Sequence, residues 1–109
     1  MDVSPEELHD LMSSPGPRRF RLVDVREEDE FAICRLEWAE LIPLSQIAVQ
    51  APLRLADKDR PVVVYCHHGI RSLQAISQLR SHGFTRLTNL AGGIDRWSRE
   101  VDSTVPRYQ

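Results

Sequence analysis

The feature of the sequence that most constrains the fold is a short apolar run that ends abruptly in a polar loop. Pro61-Val62-Val63-Val64-Tyr65 is followed at once by Cys66-His67-His68-Gly69. An uninterrupted β-favouring run of this length is typical of a central parallel strand that is covered on both faces. Residues from about 71 to 81 then predict a helix, whose apolar stripe is formed by Leu73, Ile76 and Leu79. A strand, a loop and a helix in this order predict one unit of a parallel α/β sheet.

The rest of the chain shows the same alternation of strands and helices. Further strands are predicted at residues 20–25, 41–44 and 86–90. The first helix is predicted after the capping motif Ser4-Pro5-Glu6-Glu7, with Leu8, Leu11 and Met12 as its apolar stripe. Further helices are predicted from the acidic run at residues 27–30 through Ile33, from Ser45 to about Leu53, and over residues 94–100. Because the connections between these elements are short, the pattern favours an α/β sandwich around a parallel sheet.

Length and charge restrict the function classes. The 109 residues suit one core, so we expect residues 1–109 to form a single domain. No apolar stretch approaches the roughly 20 residues of a membrane-spanning helix, and the start of the chain lacks the basic and apolar regions of a secretory signal. A net charge of −2 provides no basic field that would attract nucleic acid or an anionic membrane. We therefore expect a cytoplasmic protein with neither nucleic-acid nor membrane partners.

The cysteines and histidines form no recognisable disulfide or metal pattern. Cys34 and Cys66 are the two cysteines of the chain, and a disulfide between them is not expected in the cytoplasm. No Cys-x-x-Cys or paired Cys/His spacing indicates zinc. His67 and His68 are adjacent, but neighbours on a loop rarely converge on one ion, and the sequence shows no further ligand nearby. We predict no metal ion and no cofactor.

Cys66 occupies the carboxyl end of the predicted central strand, which is where a parallel sheet binds its ligands. The loop behind it has the composition of an anion cradle, because Gly69 permits a tight path, backbone N–H groups turn inward and a helix begins. The helix dipole and Arg71 would both stabilise a Cys66 thiolate, and the same amides would stabilise a persulfide anion. A lone cysteine after a strand is often only a small buried apolar residue. These residues by themselves therefore leave a structural role open.

Four segments in this chain resemble, in order and spacing, the signature segments of rhodanese-like domains. They are Leu22-Val23-Asp24-Val25-Arg26-Glu27 followed by Glu30-Phe31, Leu41-Ile42-Pro43-Leu44, the loop Cys66-His67-His68-Gly69-Ile70-Arg71-Ser72, and Leu90-Ala91-Gly92-Gly93-Ile94-Asp95-Arg96-Trp97. Val105-Pro106-Arg107-Tyr108 is also similar, so the resemblance covers roughly residues 3 to 108. It implies a rhodanese-like three-layer α/β sandwich with a central, mostly parallel sheet of about five strands flanked by helices.

The resemblance also implies an activity and a set of roles. The activity is that of a sulfurtransferase that moves a sulfane sulfur from thiosulfate or another persulfide donor to cyanide or a thiol acceptor, including a protein such as thioredoxin or a sulfur-relay protein. Cys66 matches the catalytic cysteine that carries the persulfide. The substrate-binding loop corresponds to His67, His68, Gly69, Ile70 and Arg71. The positions with structural roles correspond to Asp24 and Arg26 near the site, and to Gly92, Gly93 and Trp97.

Three alternative functions remain, and each has a sequence feature that bears on it. Cell-cycle phosphatases resemble this loop but carry one more residue between the cysteine and the arginine, whereas here four residues separate Cys66 from Arg71 and Tyr65 precedes the cysteine. Silent regulatory modules of the family typically lose the cysteine, which this chain keeps. A protein-to-protein sulfur relay needs the same persulfide as an enzyme that uses thiosulfate.

The chain departs from the family pattern at residues 34–39, where Cys34 is either a second redox-active thiol or a half-buried bystander.

Overall fold

The computed structural model describes residues 1–108. Its strands are β1 (Asp2–Val3), β2 (Arg21–Asp24), β3 (Glu40–Leu41), β4 (Val62–Tyr65) and β5 (Leu87–Leu90). Its helices are α1 (Pro5–Ser13), α2 (Glu28–Ile33), α3 (Ile47–Arg54), α4 (Ile70–Ser81) and α5 (Gly93–Glu100), with a short 3-10 helix at Leu44–Gln46. Within these residues α4 is the longest helix, at 12 residues, and none of the helices has the length and apolar character to cross a bilayer.

The five strands form one sheet in the order β1-β5-β4-β2-β3, and every pairing in it is parallel. The strand that the sequence marks as central, β4, lies in the middle of the sheet between β5 and β2. Helices cover both faces, so the expected three-layer α/β sandwich is confirmed. All the strands run in one direction, and their carboxyl ends therefore meet at the same edge of the sheet.

Strand β4 is apolar throughout because its two faces belong to two different cores. Val62 and Val64 pack with Cys66 in the core beneath α3 and α4. Val63 and Tyr65 point the other way, into the core that contains residues of α1 and α5. Side chains alternate across a strand, so an unbroken apolar run is what two buried faces require. Each buried valine contributes about 1.5–3 kcal/mol relative to exposure.

The predicted start of α1 is confirmed in detail. Ser4 Oγ accepts the Glu7 N–H at 3.1 Å, and the Glu7 carboxylate accepts the Ser4 N–H at 2.9 Å. These reciprocal bonds form a capping box, and Pro5 fills the first helical position. The capping box fixes the start of α1 beside β1, which pairs with β5 at the edge of the sheet. Strand β1 was not predicted, because its two residues carry no detectable strand pattern.

Two predicted apolar stripes are partly wrong. Leu73 is 53% exposed, and the buried residues of α4 are Ser72, Ala75, Ile76 and Leu79. Ile76 and Leu79 are thus buried as predicted, but at the first turn Ser72 is buried in place of Leu73, and its Oγ lies against the Cys66 sulfur. Leu11 on α1 is likewise half exposed. Burial at the first turn of α4 is thus decided by contact with the loop rather than by hydrophobicity.

The segment after β3 also differs from its prediction. Ser45 does not cap a helix, because it lies inside the 3-10 helix that follows Pro43. The α-helix α3 begins two residues later, at Ile47, and includes Pro52 in its interior. Pro52, the sixth of its eight residues, lacks an N–H, so the helix forgoes one i→i−4 hydrogen bond near its end. The 3-10 turn brings Ile47 and Ala51 onto the core beneath α3 and α4.

Candidate active site

Cys66 is buried immediately after β4, and its sulfur lies inside the loop that leads to α4. Its Sγ accepts the Gly69 N–H at 3.1 Å and the Ser72 N–H at 3.3 Å. Gly69 has a φ of 107° and caps α4, a conformation that residues with a side chain rarely adopt. The amides of the loop and of the helix N-terminus therefore converge on the sulfur, as the sequence predicts. Such an arrangement stabilises negative charge on it.

Ser72 links the sulfur to a neighbouring strand. The Cys66 thiol donates to Ser72 Oγ at 3.4 Å, and Ser72 Oγ in turn donates to Asn89 Oδ1 at 2.5 Å. A serine hydroxyl has one proton, so it donates either to Asn89 or to a thiolate sulfur, and it can change partner when Cys66 ionises. Sequence reasoning missed Asn89. The sequence feature that could have indicated Asn89 is a polar residue within a predicted strand. The structure places this strand, β5, next to β4, and the two strands end at the same edge of the sheet.

The N-terminus of α5 supports the loop from the other side. The N–H groups of Ile94 and Asp95 donate to the carbonyl oxygens of Cys66 and His67 at 2.9 and 3.0 Å. Gly93 has a φ of 63°, and a Cβ added there would lie 2.5 Å from the Cys66 carbonyl oxygen and closer still to that of His67. Only glycine permits this approach. The Gly-Gly motif is thus a backbone-to-backbone docking site for the Cys66 loop.

Asp24 and Arg26 form a fully buried ion pair after β2, each with 0% of its side chain exposed. Arg26 donates to Asp24 through Nε and Nη2, and Nη2 also donates to the Cys34 carbonyl oxygen at 2.6 Å. Burial by itself would lower the pKa of Arg26, but its hydrogen bonds to Asp24 outweigh that effect and raise it. The pair makes no hydrogen bond to Cys66. The hydrogen bond from Arg26 to the Cys34 carbonyl oxygen connects the residue that follows α2 to the end of β2.

Arg71 does not reach toward Cys66 with a free guanidinium group. Its Nη1 and Nη2 donate to the two carboxylate oxygens of Glu30 at 2.5 and 2.8 Å. The hydroxyl of Tyr108 donates to the same carboxylate at 2.7 Å. Chiefly because of Arg71, the pKa of Glu30 falls to about 2, and the pKa of Arg71 is raised. The acidic run does begin α2, as predicted, but Glu30 also pairs with the loop 41 residues away.

The two histidines of the loop have different surroundings. His67 is buried and stacks on the Tyr108 ring, with centroids 4.0 Å apart and planes 8° apart. Burial, and next the neighbouring His68, lower the pKa of His67, which favours the neutral form of this ring. The side chains of His68 and Ile70 are exposed. The loop thus turns His67 inward and presents His68 and Ile70 at the surface.

Comparison with known proteins agrees with this geometry. Residues 4–100 match the family model of the Rhodanese-like domain. The chain belongs to the rhodanese-like family. Two solved rhodanese-like structures are close to it in shape. The human single-domain sulfurtransferase TSTD1 superposes with a TM-score of 0.76 at 33% identity, covering 91% of this chain and 96% of that one. The rhodanese-like domain of the Anabaena protein Alr3790 gives a TM-score of 0.82 at 26% identity, covering 90% and 73%.

Curated relatives of this rhodanese-like chain include proteins of quite different lengths. A sulfurtransferase of Allochromatium vinosum is 41% identical over 80 residues, covering 72% of this chain and 71% of the relative. The probable adenylyltransferase/sulfurtransferase MoeZ of Mycobacterium tuberculosis is 34% identical over 106 residues, covering 97% of this chain. The chain spans only 26% of the length of that relative.

His67 and His68 do have a further potential metal ligand nearby, contrary to the prediction. The sequence showed no further ligand near the histidines, but the structure brings Asp95 of α5 to 4.0 Å from His67 Nε2 and 3.8 Å from His68 Nε2. Arg107 and Arg99 also donate to the Asp95 carboxylate. These two cations compensate its charge and compete with any metal ion for its oxygens. Asp95 could not be found from the sequence because it lies 27 positions beyond His68.

Cys34 lies in a different part of this rhodanese-like fold from Cys66. It is buried in the core that contains residues of α1 and α5, whereas Cys66 belongs to the core beneath α3 and α4. Both cysteines are free thiols. The Cys34 sulfur accepts a long hydrogen bond from Arg26 Nη1, at 3.8 Å. Cys34 therefore packs beside the Asp24–Arg26 pair, where it lacks the amide cradle that surrounds Cys66.

Proposed function

We propose that this chain is a sulfurtransferase that carries the transferred sulfur as a persulfide on Cys66. The observation that carries the proposal is the pair of amide contacts to Cys66 Sγ, from Gly69 at 3.1 Å and Ser72 at 3.3 Å. Two N–H donors aimed at one sulfur stabilise an anion on it. The relatives named as sulfurtransferases support the same chemistry.

The reaction has two displacement steps, and each conserves charge. In the first, the Cys66 thiolate attacks the outer sulfur of the donor; the new bond joins the two sulfurs, and the remainder of the donor leaves with the electron pair. With thiosulfate the leaving group is sulfite. In the second step cyanide or a thiolate attacks the outer sulfur of the persulfide, and Cys66 leaves as the thiolate. No redox partner, metal ion or cofactor enters either step.

The loop supports these steps through its size. Its amides surround a single sulfur atom, whereas a phosphate ester would need donors around several oxygens. The four residues between Cys66 and Arg71 make the loop too short for that, which argues against the phosphatase alternative. The intact cysteine argues against a silent regulatory module. We also infer a cytoplasmic setting, because the two cysteines lie in separate cores and do not form the disulfide framework typical of small secreted domains.

A protein-to-protein sulfur relay is the second candidate function, and one observation favours it. Ile70 is 70% exposed and Leu73 is 53% exposed, one helical turn apart at the start of α4. Two exposed apolar residues at the start of the helix that follows the Cys66 loop offer a contact surface to a protein that donates or accepts the sulfur, such as thioredoxin. Replacing Leu73 by Ser should leave transfer to cyanide unchanged but slow transfer to a protein thiol.

The test of the proposed function uses the two cysteines as matched variants. Cys66→Ser should abolish thiocyanate formation from a sulfane donor and cyanide, because the serine hydroxyl cannot form a persulfide. Cys34→Ser should retain most of the activity, since Cys34 lacks the amide cradle. Circular dichroism establishes that both variants fold. Activity that survives in Cys66→Ser would contradict the proposal.

A further inference from the structure

Arg71, the cation of the loop that the resemblance assigns to substrate binding, is already neutralised in this protein. Arg71 forms two hydrogen bonds with Glu30, and the two side chains are 34% and 15% exposed. A parallel pair of this kind is the strongest geometry that an arginine and a carboxylate adopt. A donor entering the loop therefore approaches an ion pair rather than a free positive charge.

Hydrogen bonds through Tyr108 hold Glu30 in this position. Tyr108 donates to one of its oxygens at 2.7 Å and accepts a hydrogen bond from Arg26 Nη1 at 2.8 Å. The Tyr108 ring also stacks on His67, within the Cys66 loop. Moving Glu30 away from Arg71 would break two charged hydrogen bonds and disturb this network. The chain therefore builds the neutralisation of Arg71 into its fold, by way of the buried Asp24–Arg26 pair.

We propose that Glu30 determines which sulfur donors this site accepts, by disfavouring dianions such as thiosulfate and favouring donors with one negative charge at the reacting group. An organic persulfide, on a small thiol or on a protein cysteine, belongs to the favoured class. The inference rests on the proposed function and narrows its substrate class. Its physical basis is that an ion pair attracts an approaching anion much less than a free cation does, and that the Glu30 carboxylate repels each additional negative charge.

Thiosulfate and methanethiosulfonate provide a matched pair of donors for the test. Both carry a terminal sulfur on a tetrahedral sulfur, and a methyl group in the second replaces one charged oxygen of the first. The Cys66 thiolate takes the terminal sulfur from either one, releasing sulfite or methanesulfinate, and the total charge is conserved in both cases. Cyanide then removes the same sulfur from the same persulfide. The ratio of kcat/KM for the two donors therefore isolates the effect of one charge on the donor.

The experiment measures this ratio at pH 8 and low ionic strength in the wild type and in three variants. Glu30→Gln removes the charge and nearly preserves the shape. It should raise the thiosulfate-to-methanethiosulfonate ratio about tenfold, which corresponds to about 1.4 kcal/mol. Glu30→Asp keeps the charge and should stay within about twofold of the wild-type ratio. Glu28→Gln removes an exposed carboxylate from the same helix and is the matched control, with no change expected.

The outcomes separate this inference from the proposed function. If neither donor loads Cys66 in the wild type, the proposed function fails. If both donors load it but Glu30→Gln leaves the ratio unchanged, the role of Glu30 is refuted while the sulfurtransferase stands. A general loss of loop structure would lower both rates and leave their ratio constant, so the ratio reports charge.

A measurement on the wild type alone keeps the inference testable if Glu30→Gln does not fold. Salt screens a free cation and thereby weakens its attraction for the dianion more than for the monoanion. With Arg71 neutralised by Glu30, the ratio should change less than about twofold between low and high salt. A steep fall in the ratio as salt is added would show that Arg71 acts as a free cation, and would overturn the inference.

Discussion

Replacing Gly93 by alanine tests the docking of α5 onto the Cys66 loop. The new Cβ would lie 2.5 Å from the Cys66 carbonyl oxygen and would also collide with the backbone of His67. Both obstacles are backbone atoms of the loop that surrounds the sulfur, so neither can move without displacing it. We therefore expect Gly93→Ala to weaken the fold and the active site together.

The expected magnitude has two parts. A residue with a Cβ at the φ of Gly93, 63°, costs about 1–2 kcal/mol. Forcing an extra methyl group into a tightly packed contact costs about 1–3 kcal/mol more. The free energy of unfolding should therefore fall by about 2–5 kcal/mol, a large share of the 5–15 kcal/mol typical of a domain. Sulfur transfer should fall as well, because the Cys66 carbonyl loses its fixed position.

Gly16→Ala is the matched control. Gly16 also has a positive φ, 100°, but no atom lies within 4 Å of the Cβ position. This variant experiences the conformational strain without the collision, so it should lose about 1–2 kcal/mol and retain its activity. Urea unfolding at 25 °C gives both values on one scale. Equal losses in the two variants would refute the reasoning, because they would show that the α5 contact yields freely.

Three further predictions concern charges and loop length. Arg26→Met should lower the free energy of unfolding in urea by about 3–5 kcal/mol, because it leaves Asp24 buried without its partner. Breaking the partly exposed Arg21–Glu40 pair with Arg21→Met should cost no more than about 1 kcal/mol. Similar costs in the two variants would contradict the role of burial. The pKa of Glu30 is lowered to about 2, so its stabilising effect is fully present above about pH 4.5 and is lost as the pH falls toward 2. The wild type should accordingly lose its stability advantage over Glu30→Gln in that window, and an advantage that persists at pH 2 would contradict the assignment. Inserting one residue between Ile70 and Arg71 should widen the loop and slow sulfur transfer at least about tenfold, since the amides would no longer converge on one sulfur; unchanged rates of thiocyanate formation would contradict the loop-size argument.

Much of the sheet and of the loop could be predicted because local signals agree with the final structure. The run at Val62–Tyr65 is apolar on both faces, and β4 is indeed buried on both. Cys66 and Gly69 lie where a strand ends and a helix begins, so their juxtaposition follows from chain order. The capping box of Ser4 and Glu7 is equally local. Such features depend on residues a few positions apart.

The parts that escaped prediction depend on contacts between distant segments. Nothing near Glu30 distinguishes it from its acidic neighbours, and its partner Arg71 comes 41 residues later. Asn89 reaches Ser72 only because β5 lies beside β4. Leu73 is exposed, and Ser72 is buried in its place against the Cys66 sulfur. Helical periodicity alone could not determine whether Ser72 or Leu73 is buried at the first turn of α4.

The central claim, that Cys66 carries the transferred sulfur, is tested most directly by an intact-mass spectrum of the protein after incubation with thiosulfate or methanethiosulfonate. The account predicts a gain of one sulfur atom in the wild type and in Cys34→Ser, no gain in Cys66→Ser, and loss of the added sulfur when cyanide or a thiol reductant is supplied. A parallel incubation with an aryl phosphate should release no phosphate. Phosphate release that depends on Cys66, without any persulfide from either sulfur donor, would contradict the account.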